Sequence, residues 1–308
     1  MSKSQKIASA IIVAIIALVA SAVTYFTDLG DTFKKDSLPD IKPSSNADLS
    51  VHFIDVGQGD CTLVMCEGHS MLIDAGESDQ GEWVVEYLLA QGIKNLDYVI
   101  GTHPHSDHIG GLKAVVNSDI EIGKIIMPKV PDEQVPTSYT YTKLRMAIID
   151  KGLTITNADD STFNLGSAVI NTYTPKDEYN DLNDYSVATK ITHGDNSFLI
   201  TGDLGKKSEQ ELVKRGCDLS ARVLQVCHHG SRESSSDLFL SKVKPVYAVI
   251  QCGEGNSYGH PHEEALNRLD KYTKEIYTTD KDGTILFESD GEGLNIKTIK
   301  SDNETHER

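Results

Sequence analysis

The sequence lacks the features that mark several common classes of protein. Its five cysteines show no CxxC pair and no zinc-finger spacing, which argues against a zinc finger or a dithiol redox site. No GxSxG segment occurs, so there is no nucleophile elbow of the serine hydrolase type. The formal net charge of -17 argues against a broad basic surface that grips nucleic acid. An acidic chain can still be a nuclease if its metal ions meet the scissile phosphate.

The cysteines are expected to be structural. Because their number is odd, at least one thiol is unpaired or pairs between chains, and the pattern leaves open whether Cys61 and Cys66 form a disulfide. Cys227 directly precedes a histidine. We expect it to be a small buried core residue, with metal ligation as the alternative.

The N-terminus carries an export signal. Residues 7–26 are uncharged and mostly apolar, long enough for a membrane-spanning helix, with lysines before them and aspartates after them. The positive-inside rule then places the rest of the chain outside the cell membrane, whether the run is a retained anchor or a signal peptide cleaved after Ala22. We therefore predict an anchor or signal at 1–27, a linker at 28–48, a catalytic domain at 49–300 and an acidic tail at 301–308.

The segment 49–300 alternates between strand and helix patterns, which predicts an α/β or α+β layered domain. Predicted strands are 51–56, 61–65, 71–74, 96–101, 125–127, 168–173, 187–191, 198–201, 223–226 and 248–251. Predicted helices are 83–91, 141–150, 208–215 and 262–272. Residues 192–197 read as a hairpin turn, in which His193 is expected to be exposed.

The chemistry of the chain is concentrated in the segment HPHSDH at 103–108. It contributes four candidate metal ligands, which are His103, His105, Asp107 and His108. Imidazole and carboxylate groups suit zinc and similar divalent ions, and so many titratable groups would be costly to pack together without a cation. Alternate positions place His103 and His105 on one side, while Asp107 and His108 can address a second ion.

This segment resembles the HxHxDH signature of the metallo-β-lactamase superfamily at every metal-binding position. Further segments match that family in the same order, namely the strand ending at Asp74, the Thr201-Gly202-Asp203 turn and His228-His229-Gly230-Ser231. The resemblance implies a four-layer αββα sandwich and two divalent ions bridged by Asp203. Zinc is the expected metal and manganese the alternative.

The chain is also similar to the extracellular hydrolase domain of the ComEC/Rec2 competence proteins. The similarity rests on the segment 55–60, the late histidine pair and Gly259-His260-Pro261-His262, and it covers residues 50–290. It implies an extracytoplasmic DNase or related phosphodiesterase. The similarity does not extend to the multi-helix membrane channel of those proteins, so a role as a DNA channel does not carry over. A more distant likeness is to secreted phosphorylcholine esterases.

The resemblance leaves the ligand assignment partly open. Many relatives place a third histidine for the first ion shortly before the bridging aspartate, but residues 183–186 contain none. We predict one site from Asp107, His108, Asp203 and one late histidine, and another from His103, His105 and Asp203. Which of His228 and His229 serves which ion stays open.

The remaining candidates surround this centre. Asp74 is expected to orient a ligand histidine. Asp55 and Asp60 lie either at the rim of the site or simply in a turn. His260 either lines the substrate pocket or packs, and Ser231 is either a phosphate contact or a cap. The leaving group is expected to be protonated by Asp107, by the spare late histidine (His229 is the candidate) or by His262.

The expected reaction is hydrolysis by metal-bound hydroxide, with a phosphodiester such as DNA as substrate. Phosphorylcholine esters, lactones and lactams are alternative substrates, because a fold does not fix its substrate. An alternative of another class is a non-catalytic metal-binding module. The membrane is an expected partner through the N-terminal helix, and no protein partner can be inferred.

Overall fold

The computed structural model describes residues 38–299. The predicted anchor or signal, residues 28–37 of the predicted linker and the acidic tail lie outside these residues. Within 38–299 no helix is both long enough and apolar enough to cross a membrane. The end of the predicted linker packs against the domain, since Ile41 is buried and the backbone N–H of Ser44 donates to the Glu288 carboxylate.

Fifteen strands make up two sheets within the described residues. They are β1 (Leu49–Phe53), β2 (Thr62–Cys66), β3 (His69–Ile73), β4 (Asn95–Ile100), β5 (Glu121–Met127), β6 (Ile155–Asn157), β7 (Ser161–Leu165), β8 (Ala168–Tyr173), β9 (Ala188–His193), β10 (Asn196–Ile200), β11 (Val223–Gln225), β12 (Tyr247–Ile250), β13 (Glu275–Thr278), β14 (Ile285–Ser289) and β15 (Leu294–Thr298). The first sheet has the order β15-β14-β1-β2-β3-β4-β5-β6, and the second has the order β13-β12-β11-β10-β9-β8-β7.

Each sheet is antiparallel at one end and parallel at the other. In the first sheet β3, β4, β5 and β6 run parallel, and in the second β10, β11, β12 and β13 do so. The carboxyl ends of parallel strands meet at one edge of a sheet, where loops gather and ligands commonly bind. The chain therefore builds one loop-rich edge on each sheet.

The core lies between the two sheets. Period-2 alternation sends Val51 and Phe53 of β1 into a cluster that also takes Phe198 of β10 and Phe287 of β14. The Phe287 ring meets those of Phe53 and Phe198 edge-on, with centroids 5.8 and 6.0 Å away. Apolar residues from both sheets thus share one interior, as in a sandwich.

Helices cover the outer faces. They are α1 (Gly81–Ala90), α2 (Ser106–Ile109), α3 (Leu112–Asn117), α4 (Tyr139–Asp150), α5 (Lys206–Arg215), α6 (Asp237–Val243), α7 (Glu263–Leu269) and α8 (Thr279–Asp282). On the first sheet, the outward-facing His52 bonds the Tyr87 hydroxyl of α1 at 2.7 Å. On the second, Leu212 of α5, Phe239 of α6 and Leu269 of α7 join a cluster with outward-facing strand residues. The two-sheet α/β architecture is as predicted.

The structure corrects some local expectations. His193 is buried at the end of β9, with Nδ1 3.0 Å from the Ser289 hydroxyl, so the expectation of an exposed turn residue is wrong. The hairpin itself is present, but the turn after β14 packs over it. All five cysteines are free, so Cys61 and Cys66 form no disulfide. Cys227 is buried in the apolar cluster of the second sheet, as predicted.

Candidate metal centre

The candidate ligands come from the carboxyl ends of parallel strands in both sheets. His103 and His105 follow β4, Asp203 follows β10, and the late histidine pair follows β11. Because the two sheets pack face to face, these ends meet at one edge of the sandwich. Two groups of side chains there have ligand atoms within 4.8 Å of one another, and both groups include Asp203.

Asp74 shapes the loop that carries the first ligands. Its carboxylate accepts hydrogen bonds from the backbone N–H of Thr102 at 2.8 Å and the Thr102 hydroxyl at 2.6 Å. The same carboxylate lies 2.8 Å from Nδ1 of His108. Asp74 is fully buried and has a positive φ of 59°, a conformation that non-glycine residues adopt at some cost. It thereby fixes the His108 ring so that Nε2 faces the other ligands, as a carboxylate behind a metal site does.

One group of ligand atoms is closed and buried. Nε2 of His108 lies 3.2 Å from Asp203 Oδ1, and Nε2 of His229 lies 3.6 Å from the same oxygen. Asp107, whose side chain is 20% exposed, lies at the open side of this group, with Oδ2 3.2 Å from His229 Nε2. Nδ1 of His229 lies 2.8 Å from the carbonyl oxygen of Gln251, which leaves Nε2 free to bind. We call Asp107, His108, His229 and Asp203 the inner set.

The other group is more open. Nε2 of His103 lies 3.1 Å from Nδ1 of His105 and 3.7 Å from Asp203 Oδ2. Nε2 of His228 lies 3.6 Å from that oxygen, and the His228 side chain is 30% exposed. We call His103, His105, His228 and Asp203 the outer set. The geometry therefore assigns one late histidine to each set, one of the alternatives that the sequence left open.

Residues 183–186, where many relatives carry a histidine, support Asp203 instead. The Ser186 hydroxyl accepts a hydrogen bond from the backbone N–H of Asp203 at 3.1 Å. The Asp184 carboxylate accepts one from the Ser208 hydroxyl at the start of α5 at 2.7 Å. This stretch holds the turn after β10 in place, and His228 is the further histidine that lies beside Asp203 Oδ2.

The inner set fits a cation. The buried atoms His108 Nε2, His229 Nε2 and Asp203 Oδ1 form no hydrogen bond within the described residues. Burial alone would lower the pKa of His108 and of His229, but nearby carboxylates, Asp203 foremost, raise both pKa values well above the usual range. Burial would likewise raise the pKa of Asp203, and the histidines hold it well below the usual range. Convergent, unpartnered donors in a strongly negative field are what a divalent ion requires.

Asp60 lies behind the inner set. Its Oδ1 is 3.2 Å from His229 Nδ1 and its Oδ2 is 3.8 Å from His108 Nδ1. The carboxylate thus faces the ring nitrogens that point away from Asp203. We interpret Asp60 as a residue that orients both histidines, although its distances also group it with possible ligands.

Gln225, at the end of β11, is a residue of the site that the sequence analysis missed. Its Nε2 donates to Asp60 Oδ2 at 2.8 Å, and its Oε1 accepts from the backbone N–H groups of Thr201 and Gly202 at 2.7 and 3.0 Å. One amide therefore ties the Asp60 turn to the turn that carries Asp203. A lone amide in the apolar run Leu224-Gln225-Val226 was the available signal, since a buried polar side chain needs partners.

The backbone is strained where the ligands converge. His228 and His229 both have φ of 52°, in the left-handed region, where residues other than glycine cluster mainly at functional sites. Gly59 approaches the metal loop so closely that a Cβ there would lie 2.2 Å from the carbonyl oxygen of Asp107. The turn 57–59 accordingly needs glycine at this position.

The other predicted residues lie around the centre. Asp55 accepts the backbone N–H of Gly57 at 3.1 Å, which is turn chemistry. The Ser231 hydroxyl accepts the N–H of Glu233 at 3.3 Å, as a cap would.

The His260 ring lies 5.6 Å from that of His228 and 4.8 Å from that of His262. Burial, aided by charge on neighbouring histidines, lowers the pKa of His260 to about 4, and Nδ1 of His262 accepts the N–H of Arg232 at 3.2 Å.

The comparison with known families identifies the class of protein. The sequence pattern of the metallo-beta-lactamase superfamily matches residues 54–254, which include every residue of both ligand sets. The chain belongs to the metallo-β-lactamase superfamily, as its histidine motif predicted. Membership indicates a metal-dependent hydrolase.

Its curated relatives include a protein named as a competence protein. The chain is 29% identical over 270 residues to ComE operon protein 3 of Bacillus subtilis (strain 168), covering 80% of this chain and 34% of that protein. It is 31% identical over 252 residues to Competence protein ComA of Neisseria gonorrhoeae, covering 81% of this chain and 33% of that protein. The chain thus spans about a third of the length of these relatives.

Among solved structures, the fold is similar to that of CmlA, a diiron β-hydroxylase from Streptomyces venezuelae. The TM-score is 0.50 at 15% identity, covering 77% of this chain and 53% of that one. At this identity the similarity establishes the fold alone.

Proposed function

We propose that this protein is a two-metal phosphodiesterase that cleaves DNA on the outer side of the cell membrane. The observation that carries the proposal is that Asp203 presents one oxygen to each of two ligand sets. Similarity to a relative named as a competence protein favours a nucleic acid substrate over a lactone or lactam. The apolar run at 7–26 favours an extracytoplasmic location.

Each ligand set would hold one divalent ion. Ions in these sets would lower the pKa of a water molecule and polarise the phosphodiester under attack. Zinc suits the imidazole and carboxylate donors, and manganese is the alternative. Both sets include a carboxylate, so neither requires a softer ligand such as Cys227.

The residues of the chain divide the remaining tasks. Asp74 and Asp60 hold the histidine rings in fixed orientations, so the reacting groups are positioned before substrate arrives. Asp107 is the inner carboxylate that reaches solvent, with its side chain 20% exposed. It is therefore placed to take up a proton from attacking water or to pass one to the leaving group. His229 is enclosed by carboxylates, which favours a ligand role over proton transfer.

His262 is less well placed for proton transfer than the sequence suggested. One of its ring nitrogens accepts the backbone N–H of Arg232, and its ring contacts that of His260, which in turn contacts that of His228. We assign His262 to support of the loop after His229. His260, with its lowered pKa, is a neutral ring at the mouth of the site.

The test is cleavage of single-stranded DNA, double-stranded DNA and bis-p-nitrophenyl phosphate by the full-length protein with zinc or manganese. We expect metal-dependent cleavage that is lost in Asp107→Ala and kept in Asp119→Ala, an exposed aspartate that serves as control. Cleavage of the small diester with intact DNA would contradict the DNase assignment. No cleavage of either despite two bound ions would contradict the phosphodiesterase itself and favour lactone or lactam substrates.

The location is tested separately. An epitope at the C-terminus should be digested by protease added to intact spheroplasts, and protection of the epitope would contradict the outside placement.

A further inference from the structure

The loop that follows β12 is folded around one side chain. Asn256 donates its amide N–H groups to the carbonyl oxygens of Gly253 at 2.9 Å and His260 at 2.6 Å. Its side-chain oxygen accepts the backbone N–H of His260 at 3.0 Å. The loop from Gly253 to His260 is therefore closed on itself and holds Tyr258 in a defined position.

Tyr258 ends a series of rings that begins at the ligands. The Tyr258 ring is stacked on that of His260, with centroids 5.7 Å apart and planes at 17°. The His260 ring in turn lies 5.6 Å from that of His228 in the outer set. Tyr258 is 64% exposed, so the ring face that does not meet His260 is open to solvent. The structure thus presents a flat aromatic surface about two rings away from the reacting centre.

Electrostatic attraction contributes little to binding of a polyanion here. The net charge of -17 opposes a phosphate backbone, and Arg232 on the neighbouring loop is paired with Glu264 at 3.0 Å. A nucleic acid held at this site therefore needs a source of affinity beyond the metal ions. Stacking of a base on an aromatic ring supplies roughly 1–3 kcal/mol and is tolerant of sequence.

We propose that the Tyr258–His260 pair stacks on an unpaired base beside the scissile phosphate, which makes single-stranded DNA the preferred substrate. The inference rests on the proposed function, since it specifies the substrate of that same site. In a duplex the bases already stack on each other, and freeing one costs a few kcal/mol. A stacking surface at the mouth of the site therefore selects against duplex DNA.

The test compares Tyr258→Leu, Tyr258→Trp and wild type in the full-length, metal-loaded protein. Leucine removes the aromatic face and tryptophan keeps it. The substrates are a 12-nucleotide single strand, the same strand without the bases that flank the cleaved bond, and the duplex. Tyr139→Leu is the matched control, because Tyr139 is also an exposed tyrosine, 75% exposed at the start of α4.

We expect Tyr258→Leu to lower kcat/KM on the intact single strand about tenfold, mainly through KM, which corresponds to about 1.4 kcal/mol. Tyr258→Trp should restore the rate and Tyr139→Leu should leave it unchanged. On the strand without flanking bases, wild type should fall to the level of Tyr258→Leu, and the variant should fall no further. Metal content equal to wild type shows that the variants are folded.

The outcomes separate the two proposals. Cleavage of the single strand by wild type and Tyr258→Leu at equal rates would overturn the stacking role and leave the phosphodiesterase standing. Equal rates on single strand and duplex by wild type would overturn the proposed preference. The same variants are also assayed on p-nitrophenylphosphorylcholine, and a loss in Tyr258→Leu on that substrate alone would overturn the stacking role in favour of a cation–π contact with choline. No DNA cleavage by wild type would overturn the proposed function first.

Discussion

The two ligand sets differ in how firmly the fold holds them. In the inner set, the second ring nitrogen of each histidine is engaged, by Asp74 for His108 and by Gln251 for His229, and Asp60 stands behind both. In the outer set, His105 is half-buried and His228 is 30% exposed. The inner set is therefore arranged to hold its ion firmly, whereas the outer set is more open to solvent and substrate. We therefore expect the inner ion to be the tighter one.

The largest effect is expected where the two sets meet. Asp203→Ala removes a ligand from both, so the protein should lose its metal and at least about a thousandfold in phosphodiesterase activity, as several kcal/mol of charge stabilisation disappear. Metal content by mass spectrometry and cleavage rate are the measurements. Retention of two ions per chain in this variant would contradict the assignment of Asp203 as a ligand in both sets.

The late histidines separate the two sets. His229→Ala should abolish binding of the inner ion and destabilise the protein by about 1–3 kcal/mol, because it removes the ring whose Nδ1 lies 2.8 Å from the buried carbonyl oxygen of Gln251 and 3.2 Å from Asp60 Oδ1. His228→Ala should weaken only the outer ion, because that side chain is partly exposed. Chemical denaturation and metal titration of both variants check this. Equal losses of stability and metal affinity in the two variants would show that the fold supports both sets to the same degree.

A smaller effect is expected behind the inner set. Asp74→Asn should weaken the inner ion roughly 10- to 100-fold by loosening the His108 ring, with the outer ion little changed. Asp97→Asn is the matched control, since Asp97 also accepts a backbone N–H, from Ser70 at 3.0 Å, but in a different part of the first sheet. A competition assay with a metal chelator measures the affinities. An equal loss of affinity for both ions would argue against the claim that Asp74 supports the inner set alone.

The smallest difference is expected in the response to pH. Burial would lower the pKa of His108 and His229, but carboxylates raise it well above 6.5, whereas burial lowers the pKa of His103 well below 6.5. At neutral pH the inner histidines therefore carry protons that a metal must displace, and His103 does not. Affinity of the inner ion should rise with pH, about tenfold per unit for each displaced proton, until the raised pKa values are passed.

Calorimetry in buffers of different ionisation enthalpy measures the protons released at each binding step. The inner step should release more protons than the outer step at pH 7. The same linkage predicts that the metal-free protein gains stability from these two histidines below pH 6.5 and loses it as pH rises through their raised pKa values. Equal proton release at both steps would contradict the predicted difference in protonation between the inner histidines and His103.

The sequence predicted the parts of the site that lie in short segments. The HPHSDH loop, Asp203 and the late histidine pair are recognisable because each carries ligand-type residues at a strand end, and the structure brings them together around Asp203 and His229. Most strands and helices around them were predicted to within a few residues. Those positions depend on local periodicity, which a single sequence contains.

What the sequence could not provide depends on pairing over long distances. The strand β14 lies beside β1 although more than two hundred residues separate them, and none of β13, β14 and β15 was predicted. The role of Gln225 depends on the meeting of two turns from different sheets. His193 was misread for the same reason, because the turn that buries it belongs to a distant hairpin. The preference of Asp60 for a supporting position likewise follows only from the packed geometry.

The need for both ligand sets is tested most directly by following DNA cleavage while metal is returned to the metal-free, full-length protein. We expect zinc or manganese to bind in two steps. The first equivalent should fill the inner set with little cleavage, and cleavage of single-stranded DNA should appear as the second equivalent binds. Full cleavage with one ion per chain, or no cleavage with two, would contradict the claim that hydrolysis requires both sets joined at Asp203.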